Sequence, residues 1–141
     1  MNSKSYPSGA VLYDIPCFED DRGAINIIEI ARDLPFGCQR IFYTYTVPEG
    51  NVRGEHAHKA CEQFLIAVHG AVRVTVDNGI VRDEFMLDSP SKGMLLPAGR
   101  WSEQFGHSPD CILLVLASLP YDDADYIRSY DEFRVWKKGG R

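Results

Sequence analysis

Two histidines separated by a single residue carry the strongest chemical signal in the chain. His56 and His58 follow Arg53, and an acid and an amide, Glu62 and Gln63, come shortly after them. Side chains in a strand alternate between its two faces, so both imidazoles are predicted to point the same way. Histidine titrates near neutral pH and is the commonest general base or acid in enzymes. The pattern therefore predicts a proton-transfer site, with a carboxylate or amide from Glu62 or Gln63 on the same face.

The other two histidines carry a weaker signal. His69 lies at a turn after an apolar run, and His107 lies in a loop rich in Gly, Ser and Pro, so both are expected to be solvated. His56 and His58 could also serve only as hydrogen-bonding groups inside a barrel. Their common face and the cations on either side of them favour a functional role.

Short strands are the elements that must position these side chains. Apolar and β-branched residues alternate or run together in short segments, which Gly, Pro, Asn and Asp separate. The predicted strands are 11–15, 24–30, 40–47, the histidine segment, 62–69, 71–77, 80–87, 94–96 and 111–119. Aromatic and apolar residues at near-helical spacing within 124–138 predict one short C-terminal helix. This pattern indicates an all-β sandwich or barrel.

Length and composition limit the function classes. A chain of 141 residues with 45% hydrophobic and 25% charged residues is typical of one globular domain, so 1–141 is assigned to a single domain whose polar segment 1–10 is expected to be flexible. A net charge of -5 without a basic cluster argues against nucleic acid as a partner. The absence of a long apolar run argues against a membrane protein. The four cysteines lie far apart, as free thiols in a cytoplasmic protein would.

The spacing around the histidines resembles the motifs of the cupin superfamily. The first motif is matched by Gly50, His56, His58 and Gly70, and the second by Gly93, Pro97 and Gly99. The resemblance implies a jelly-roll β-barrel. Metal-binding cupins have a further histidine where Ser102 stands here, and a glutamate where Gln63 stands. Two histidines with an amide and a hydroxyl make a poor donor set for a first-row metal, so no bound metal is expected.

A closer resemblance covers residues from about 21 to 133. The string RGEHAHK at 53–59 looks like the R-G-x-H-A-H-K signature of the WxcM-like family of nucleotide-sugar 3,4-ketoisomerases. Four further segments are similar to that family in the same order, namely 21–23, 40–43, 97–101 and 121–133. An ordered series of matches is much more specific than one H-x-H pair.

This resemblance implies an isomerase that converts dTDP-4-keto-6-deoxyglucose to a dTDP-3-keto-6-deoxyhexose for a deoxy-amino sugar of surface polysaccharide, such as lipopolysaccharide O-antigen. A base removes the hydrogen at C3, beside the ketone, and a proton returns at C4 of the resulting enediolate. No redox cofactor is needed and no metal is strictly needed. His58 is predicted to be the carbon base and His56 the relay for the hydroxyl proton, and the exchanged roles fit the residues as well. The family also implies a homodimer.

The predicted substrate-binding residues are Arg22, Arg40, Tyr43, Tyr45, Arg53, Gln63, Trp101 and Ser102. Guanidinium groups suit diphosphate or enediolate oxygens. The two tyrosines are expected to face the cavity or, alternatively, to pack at the barrel rim. Trp101 either stacks on a ring of the substrate or caps the barrel. The acidic run 122–125 is expected to be a solvated turn.

Three other functions remain compatible with the sequence. The first is a metal-dependent cupin enzyme, and the second is a non-catalytic sugar-nucleotide-binding cupin. The third is a 3,5-epimerase of the rhamnose pathway, which is also a cupin. Isotope exchange separates them, because an isomerase exchanges at C3 and C4, an epimerase at C3 and C5, and a binding protein at neither pair.

Overall fold

A computed structural model describes residues 1–140, so position 141, the last of the predicted domain, lies outside the described residues. In chain order, the strands are β1 (Ser3–Ser5), β2 (Val11–Asp14), β3 (Cys17–Asp20), β4 (Gly23–Asn26), β5 (Arg40–Tyr45), β6 (Arg53–His58), β7 (Gln63–His69), β8 (Val72–Asp77), β9 (Arg82–Leu87), β10 (Lys92–Leu96), β11 (Trp101–Phe105), β12 (Ile112–Ala117) and β13 (Tyr126–Ile127). The helices are α1 (Ile30–Asp33) and α2 (Tyr130–Lys138), and a 3₁₀ turn spans Asp123–Asp125.

Two antiparallel sheets form the body of the protein. The larger sheet has the strand order β1-β2-β10-β7-β12-β5, and the smaller has the order β13-β6-β11-β8-β9. Strands β3 and β4 pair separately as a hairpin. Strands that are neighbours in a sheet but distant in the chain, such as β10 and β2, are typical of a jelly roll, and the predicted all-β class is confirmed.

The main core lies between the two sheets. Alternate residues of facing strands point inward, so Leu65 of β7 and Leu113 of β12 pack with Val74 and Val76 of β8. All four are buried. Burial of one such side chain contributes about 1.5–3 kcal/mol to folding. The sheets are therefore held as a rigid frame, on which the side chains of β5, β6 and β7 can be placed accurately.

The C-terminal helix packs against the outside of the smaller sheet. Phe133 of α2 is fully buried beside Trp101 and Ala57. The helix begins after Ser129, whose hydroxyl accepts a hydrogen bond from the Glu132 backbone amide and so caps the helix N-terminus. The predicted short helix is therefore present, but it starts at 130 instead of 124, because the residues before it form the 3₁₀ turn and pair with β6 as β13.

Two other segments differ from the sequence-based expectation. Residues 1–10, expected to be flexible, contain β1, which pairs with β2 through backbone groups while its own side chains stay exposed. The strand predicted at 24–30 ends at Asn26, and its last residue begins α1. Neither of the two helices within residues 1–140 is long and apolar enough to cross a membrane.

Candidate active site

Strand β6 places both histidines on the inner face of the smaller sheet. Ala57, between them, is fully buried on the opposite face against Trp101 and Ile127. The rings of His56 and His58 therefore lie side by side, with centroids 5.0 Å apart and planes nearly perpendicular. The predicted common face of the two imidazoles is confirmed.

A local irregularity in β6 sets the orientation of His56. Gly54 has a φ of 82°, and a Cβ there would lie 2.8 Å from the backbone oxygen of Ser102, so only glycine fits without strain. The Gly54 carbonyl accepts a hydrogen bond of 2.8 Å from Nδ1 of His56. Burial and the neighbouring His58 lower the pKa of His56 to about 4, so the ring is neutral at pH 7. Its proton sits on Nδ1, and among residues 1–140 no group is hydrogen-bonded to its Nε2 lone pair.

His58 is held by a buried carboxylate from the far end of the chain. Its Nδ1 donates to Asp125 at 2.9 Å. The same carboxylate accepts from the backbone amides of Ala60, at 2.7 Å, and Cys61, at 3.3 Å. Burial lowers the pKa of His58, and the contact with Asp125 offsets part of that shift. Asp125 thus fixes the ring in the Nδ1–H tautomer, with the Nε2 lone pair directed away from it.

Gln63 and Tyr126 complete the surroundings of the imidazoles. The Gln63 side-chain amide lies 3.3 Å from Nε2 of His58, to which it donates. The Tyr126 ring packs on both histidines, at centroid distances of 4.9 Å from His56 and 4.4 Å from His58. Pairing of β13 with β6 sets Tyr126 opposite His58. On Tyr126, the Arg128 guanidinium lies 4.3 Å from the ring centre, a cation–π distance.

Three of these side chains, His56, Gln63 and Tyr126, border a cavity of about 330 Å³ between the two sheets. Its polar lining consists of Arg40, Thr44, Arg53, His56, Gln63, Gln104 and Tyr126, and its apolar lining includes Phe42, Leu65, Leu113 and Val115. Within residues 1–140, Nε of Arg40 and the hydroxyl of Thr44 are buried without a hydrogen-bond partner. Buried polar groups are normally paired, so these two are available to a ligand in the cavity.

Three of the predicted substrate-binding residues lie away from this cavity. Tyr43 and Tyr45 are 61% and 60% exposed on the outer face of β5, because Phe42 and Thr44 take the inward positions of that strand. Alternation showed that β5 has two faces but not which face turns inward. Arg22 sits on the β3–β4 hairpin, where its exposed guanidinium pairs with Asp20 at 2.6 Å. For Tyr43 and Tyr45 the expectation of a cavity-facing position is wrong for their own chain, and the substrate-binding roles of all three residues stay predictions.

Trp101 and Ser102 of β11 have structural surroundings. Trp101 is buried against Tyr130 and Phe133 of α2, and its indole N–H donates to Glu103 at 2.7 Å. Of the two alternatives for Trp101, capping of the barrel is therefore the one that its contacts support. The Ser102 hydroxyl is buried and lies 3.4 Å from the Gln104 amide, which lines the cavity. By contrast, Arg40, Arg53 and Gln63 lie at the cavity itself.

Family membership follows from comparison with known proteins. The family model described as "FdtA: WxcM-like, C-terminal" matches residues 8–138. This chain belongs to the WxcM-like family. The match covers every strand from β2 to β13 and the whole of α2, so it includes the segment that carries Asp125 and Tyr126.

Similar proteins extend that finding to named enzymes. A curated relative, TDP-4-oxo-6-deoxy-alpha-D-glucose-3,4-oxoisomerase of Aneurinibacillus thermoaerophilus, is 41% identical over 117 residues, which are 83% of this chain and 84% of the relative. The sugar 3,4-ketoisomerase QdtA of Thermoanaerobacterium thermosaccharolyticum, solved in complex with TDP, is 34% identical with a TM-score of 0.90, covering 93% of this chain and 96% of that one. A 3,4-ketoisomerase from Helicobacter canadensis is 32% identical, with a TM-score of 0.88 and coverage of 92% and 97%.

Asp125 is the main residue of this WxcM-like site that sequence reasoning missed. The run 122–125 was expected to be solvated, which is wrong for Asp125, since only 9% of it is exposed. A possible signal was the similarity of 121–133 to the family, because a solvated turn has no reason to keep a fixed sequence. Nothing local shows that this carboxylate meets a histidine 67 positions earlier.

The other two histidines, His69 and His107, differ in their exposure to solvent. His69 is exposed near Asp110, at 3.4 Å, as expected for a solvated side chain. For His107 the expectation is wrong, because both of its ring nitrogens are buried without a hydrogen-bond partner within residues 1–140. Burial, with Arg53 nearby, lowers the pKa of His107.

The residues at the cupin metal positions do not fit a metal. His58 has Nδ1 bound to Asp125 and Nε2 facing the N–H of Gln63. An amide N–H is not a metal donor, and the hydroxyl of Ser102 faces Gln104 instead of the imidazoles. Of the four residues at these positions, only His56 keeps a ring nitrogen without a hydrogen-bond partner within residues 1–140, and one donor does not make a metal site.

Proposed function

We propose that this WxcM-like protein is a sugar 3,4-ketoisomerase, which converts dTDP-4-keto-6-deoxyglucose to a dTDP-3-keto-6-deoxyhexose. One observation carries the proposal, namely a pair of adjacent neutral imidazoles, of which His56 lines the cavity and His58 has a buried carboxylate partner. The relatives named above are enzymes of this activity, and their similarity covers most of both chains. Moving a carbonyl between neighbouring carbons needs a base, a proton relay and donors for an oxyanion.

His56 has better access to the cavity than His58, which favours His56 as the carbon base. This assignment reverses the roles that the sequence analysis predicted for the two histidines. His56 lines the cavity with a free Nε2, whereas His58 is 5% exposed and has both nitrogens engaged. A base with a pKa of about 4 is weak in the ligand-free protein. The enediolate that forms beside it is negatively charged, which raises the pKa of the imidazolium as the proton transfers.

His58 is then suited to moving the proton between the sugar oxygens at C3 and C4. Asp125 stabilises the imidazolium that forms when Nε2 accepts a proton, as the carboxylate of a catalytic triad does. Gln63, which donates to the same nitrogen, can transfer its hydrogen bond to a sugar oxygen when the relay is in use. General acid–base catalysis of this kind contributes about 10²–10⁴-fold.

Two arginines supply positive charge to the cavity. The unpaired Nε of Arg40 is suited to an enediolate oxygen, and it lies among the apolar lining where such a bond is strong. Arg53 also lines the cavity and is suited to the diphosphate. The sequence-predicted roles of Arg22, Tyr43 and Tyr45 require a second chain, since they lie outside the cavity of their own.

Deuterium exchange tests the reaction directly. The enzyme is incubated with dTDP-4-keto-6-deoxyglucose in D₂O, and NMR follows the label at C3, C4 and C5. We expect exchange at C3 and C4 that persists with a chelator, because the proposed reaction is metal-independent. His56→Asn is expected to lose the C3 exchange and still bind TDP, whereas His58→Asn keeps some C3 exchange but forms little product.

Each rival function gives a different result in the same experiment. A non-catalytic binding protein leaves all three carbons unlabelled, and a 3,5-epimerase labels C3 and C5. A metal-dependent enzyme loses exchange when the chelator is added. Wild-type exchange in His56→Asn would remove that residue from the mechanism and return the base to His58.

We further propose a homodimer. Ile41, Tyr43 and Tyr45 form an exposed apolar row on β5, which is also the open edge of the larger sheet. Exposed apolar patches and open edges are commonly covered by a partner subunit. Sedimentation at micromolar concentration tests this, and a monomer would contradict it.

The location and pathway are proposals of the same kind. Within residues 1–140 all four cysteines are free thiols, which supports a cytoplasmic location. A 3-keto sugar is ready for amination at C3, which supports a place in the synthesis of a deoxy-amino sugar for surface polysaccharide such as O-antigen. Cell fractionation and the sugar composition of a deletion strain test these two statements.

A further inference from the structure

Three metal-ligating side chains of different types meet at the C-terminal end of β6. They are His58, Cys61 and Asp125, and their donor atoms all lie within 4.8 Å of one another. The three residues are 5%, 4% and 9% exposed. We propose that this trio, called the rear cluster below, is a site for a thiophilic divalent cation such as Zn²⁺, and that the bound cation inhibits the isomerase.

The donor set of the rear cluster suits zinc. Imidazole nitrogen, thiolate sulfur and carboxylate oxygen are the three ligand types that Zn²⁺ takes in proteins. Its bond lengths of about 2.0–2.3 Å place tetrahedral ligand atoms about 3.3–3.7 Å apart. Nδ1 of His58 and Oδ2 of Asp125 are now 2.9 Å apart, and no pair exceeds 4.8 Å. Movements of about 1 Å therefore convert the rear cluster into three ligands of a tetrahedral site with one water.

The thiol of Cys61 is free to make that movement. Its two hydrogen-bond contacts, at 3.4 Å to the Glu62 carbonyl and 3.8 Å from the Ser118 hydroxyl, are weak because a thiol is a weak donor and a weak acceptor. Such contacts hold a sulfur atom weakly. The neighbours Lys59 and Ala60 are exposed, so the rear cluster lies just beneath the loop between β6 and β7. A cation can therefore enter through this loop.

The rear cluster is different from a cupin metal centre. The cupin metal positions fall on His56, His58, Gln63 and Ser102 in this chain, whereas the rear cluster consists of His58, Cys61 and Asp125. Only His58 belongs to both sets. It would use Nδ1, the nitrogen that faces Asp125, and not the Nε2 that faces Gln63.

Binding requires a defined proton balance. Cys61 releases its thiol proton to solvent, and the Nδ1 proton of His58 moves to Nε2, since the metal takes the Nδ1 lone pair. The imidazole then carries its proton on Nε2 and can no longer accept one from a sugar hydroxyl. This inhibitory consequence rests on the proposed function, whereas cation binding itself does not.

Cobalt(II) is the probe of choice, because a cobalt–thiolate bond adds near-ultraviolet charge-transfer absorption that can be titrated without any assay of activity. Wild-type protein is expected to develop this band with one equivalent of Co²⁺, and Cys61→Ser is expected to lack it. Cys111→Ser is the matched control, since Cys111 is equally buried but lies in the main core. Circular dichroism checks folding, and Cys61→Ala replaces the serine variant if that variant is unfolded.

The second part of the experiment measures isomerase activity in the presence of Zn²⁺. Saturating Zn²⁺ is expected to lower kcat about 10²-fold in wild type and Cys111→Ser, reversibly with a chelator, because a general acid–base relay contributes at least that much. Cys61→Ser is expected to keep its activity. An absent cobalt band, or one that survives in Cys61→Ser, overturns the site. If the cobalt band appears but Zn²⁺ does not inhibit the active enzyme, the inhibitory role is overturned. If the band appears in a protein that has no isomerase activity, only the proposed function is overturned.

Discussion

Replacement of Asp125 by asparagine changes the charge of the buried pair while it preserves the shape of the side chain. The carboxylate accepts from Nδ1 of His58 and from the backbone amides of Ala60 and Cys61. An asparagine has one accepting oxygen and a donating NH₂ group. If the oxygen serves Ala60, which has the shortest bond at 2.7 Å, the NH₂ group faces Nδ1 of His58. His58 must then move its own proton to Nε2.

Two magnitudes follow from this geometry. The variant loses charge-assisted hydrogen bonds, worth about 1.5–3 kcal/mol each, and keeps weaker neutral ones, so the free energy of unfolding is expected to fall by about 2–3 kcal/mol. The tautomer change removes the acceptor of the proton relay, and kcat is expected to fall about 10²–10⁴-fold. Binding of TDP is expected to be unchanged, since Asp125 does not line the cavity.

Three measurements check Asp125→Asn. Urea denaturation gives the free energy of unfolding, the exchange assay gives the rate, and ¹⁵N NMR of the imidazole reports which ring nitrogen carries the proton. Asp123→Asn is the control, because Asp123 lies in the same acidic run but is exposed and pairs with Arg128 at 2.8 Å. An exposed ion pair contributes about 0–1 kcal/mol, so this variant should resemble wild type. Wild-type activity in Asp125→Asn with the proton still on Nδ1 would refute the reasoning.

Three other variants or conditions give distinct signatures. The free energy of unfolding is expected to fall by at most about 3 kcal/mol between pH 6.5 and 4, because His56 binds a proton at higher pH in the unfolded chain than in the folded one. Urea titrations at several pH values measure this fall. The same dependence of unfolding free energy on pH in His56→Asn would contradict the assignment. Gly54→Ala is expected to lower the free energy of unfolding by at least about 1–2 kcal/mol, because of the positive φ and the close backbone oxygen of Ser102. It is also expected to lower kcat, because it displaces the carbonyl that holds His56. Denaturation measures the first effect, and kinetics measure the second. Arg40→Ala is expected to weaken substrate binding at least about tenfold, since its Nε has no hydrogen-bond partner within residues 1–140 and is available to a ligand. The loss of its cation–π contacts with Phe42 and Tyr121 is expected to cost about 0.5–2 kcal/mol of stability. Calorimetry that finds unchanged affinity would contradict the binding role.

The histidine strand could be predicted because its information is local. Alternation alone placed His56 and His58 on one face, with Ala57 on the other. The same argument gave the two faces of β5 but did not decide which of them turns toward the cavity. Aromatic and β-branched residues suit both faces of a strand, and the packing of Phe42 against the core decides which face turns inward.

The carboxylate partner of His58 could not be predicted in this way. Asp125 belongs to an acidic run whose composition is typical of a solvated turn. Its burial depends on the pairing of β13 with β6 and on the packing of α2, which are contacts between distant parts of the chain. The assignment of base and relay depends on hydrogen bonds to Gly54 and Gln63, which also exist only in the folded protein.

The short strand β13 has a consequence for the working protein. Its two residues, Tyr126 and Ile127, together with the docking of α2, hold Asp125 beneath His58. A two-residue pairing can open while both sheets remain intact, because local openings need much less free energy than global unfolding. On heating, catalysis should therefore fail at a lower temperature than the barrel melts. Local unfolding of the tail therefore inactivates the proton relay reversibly, before the two sheets unfold.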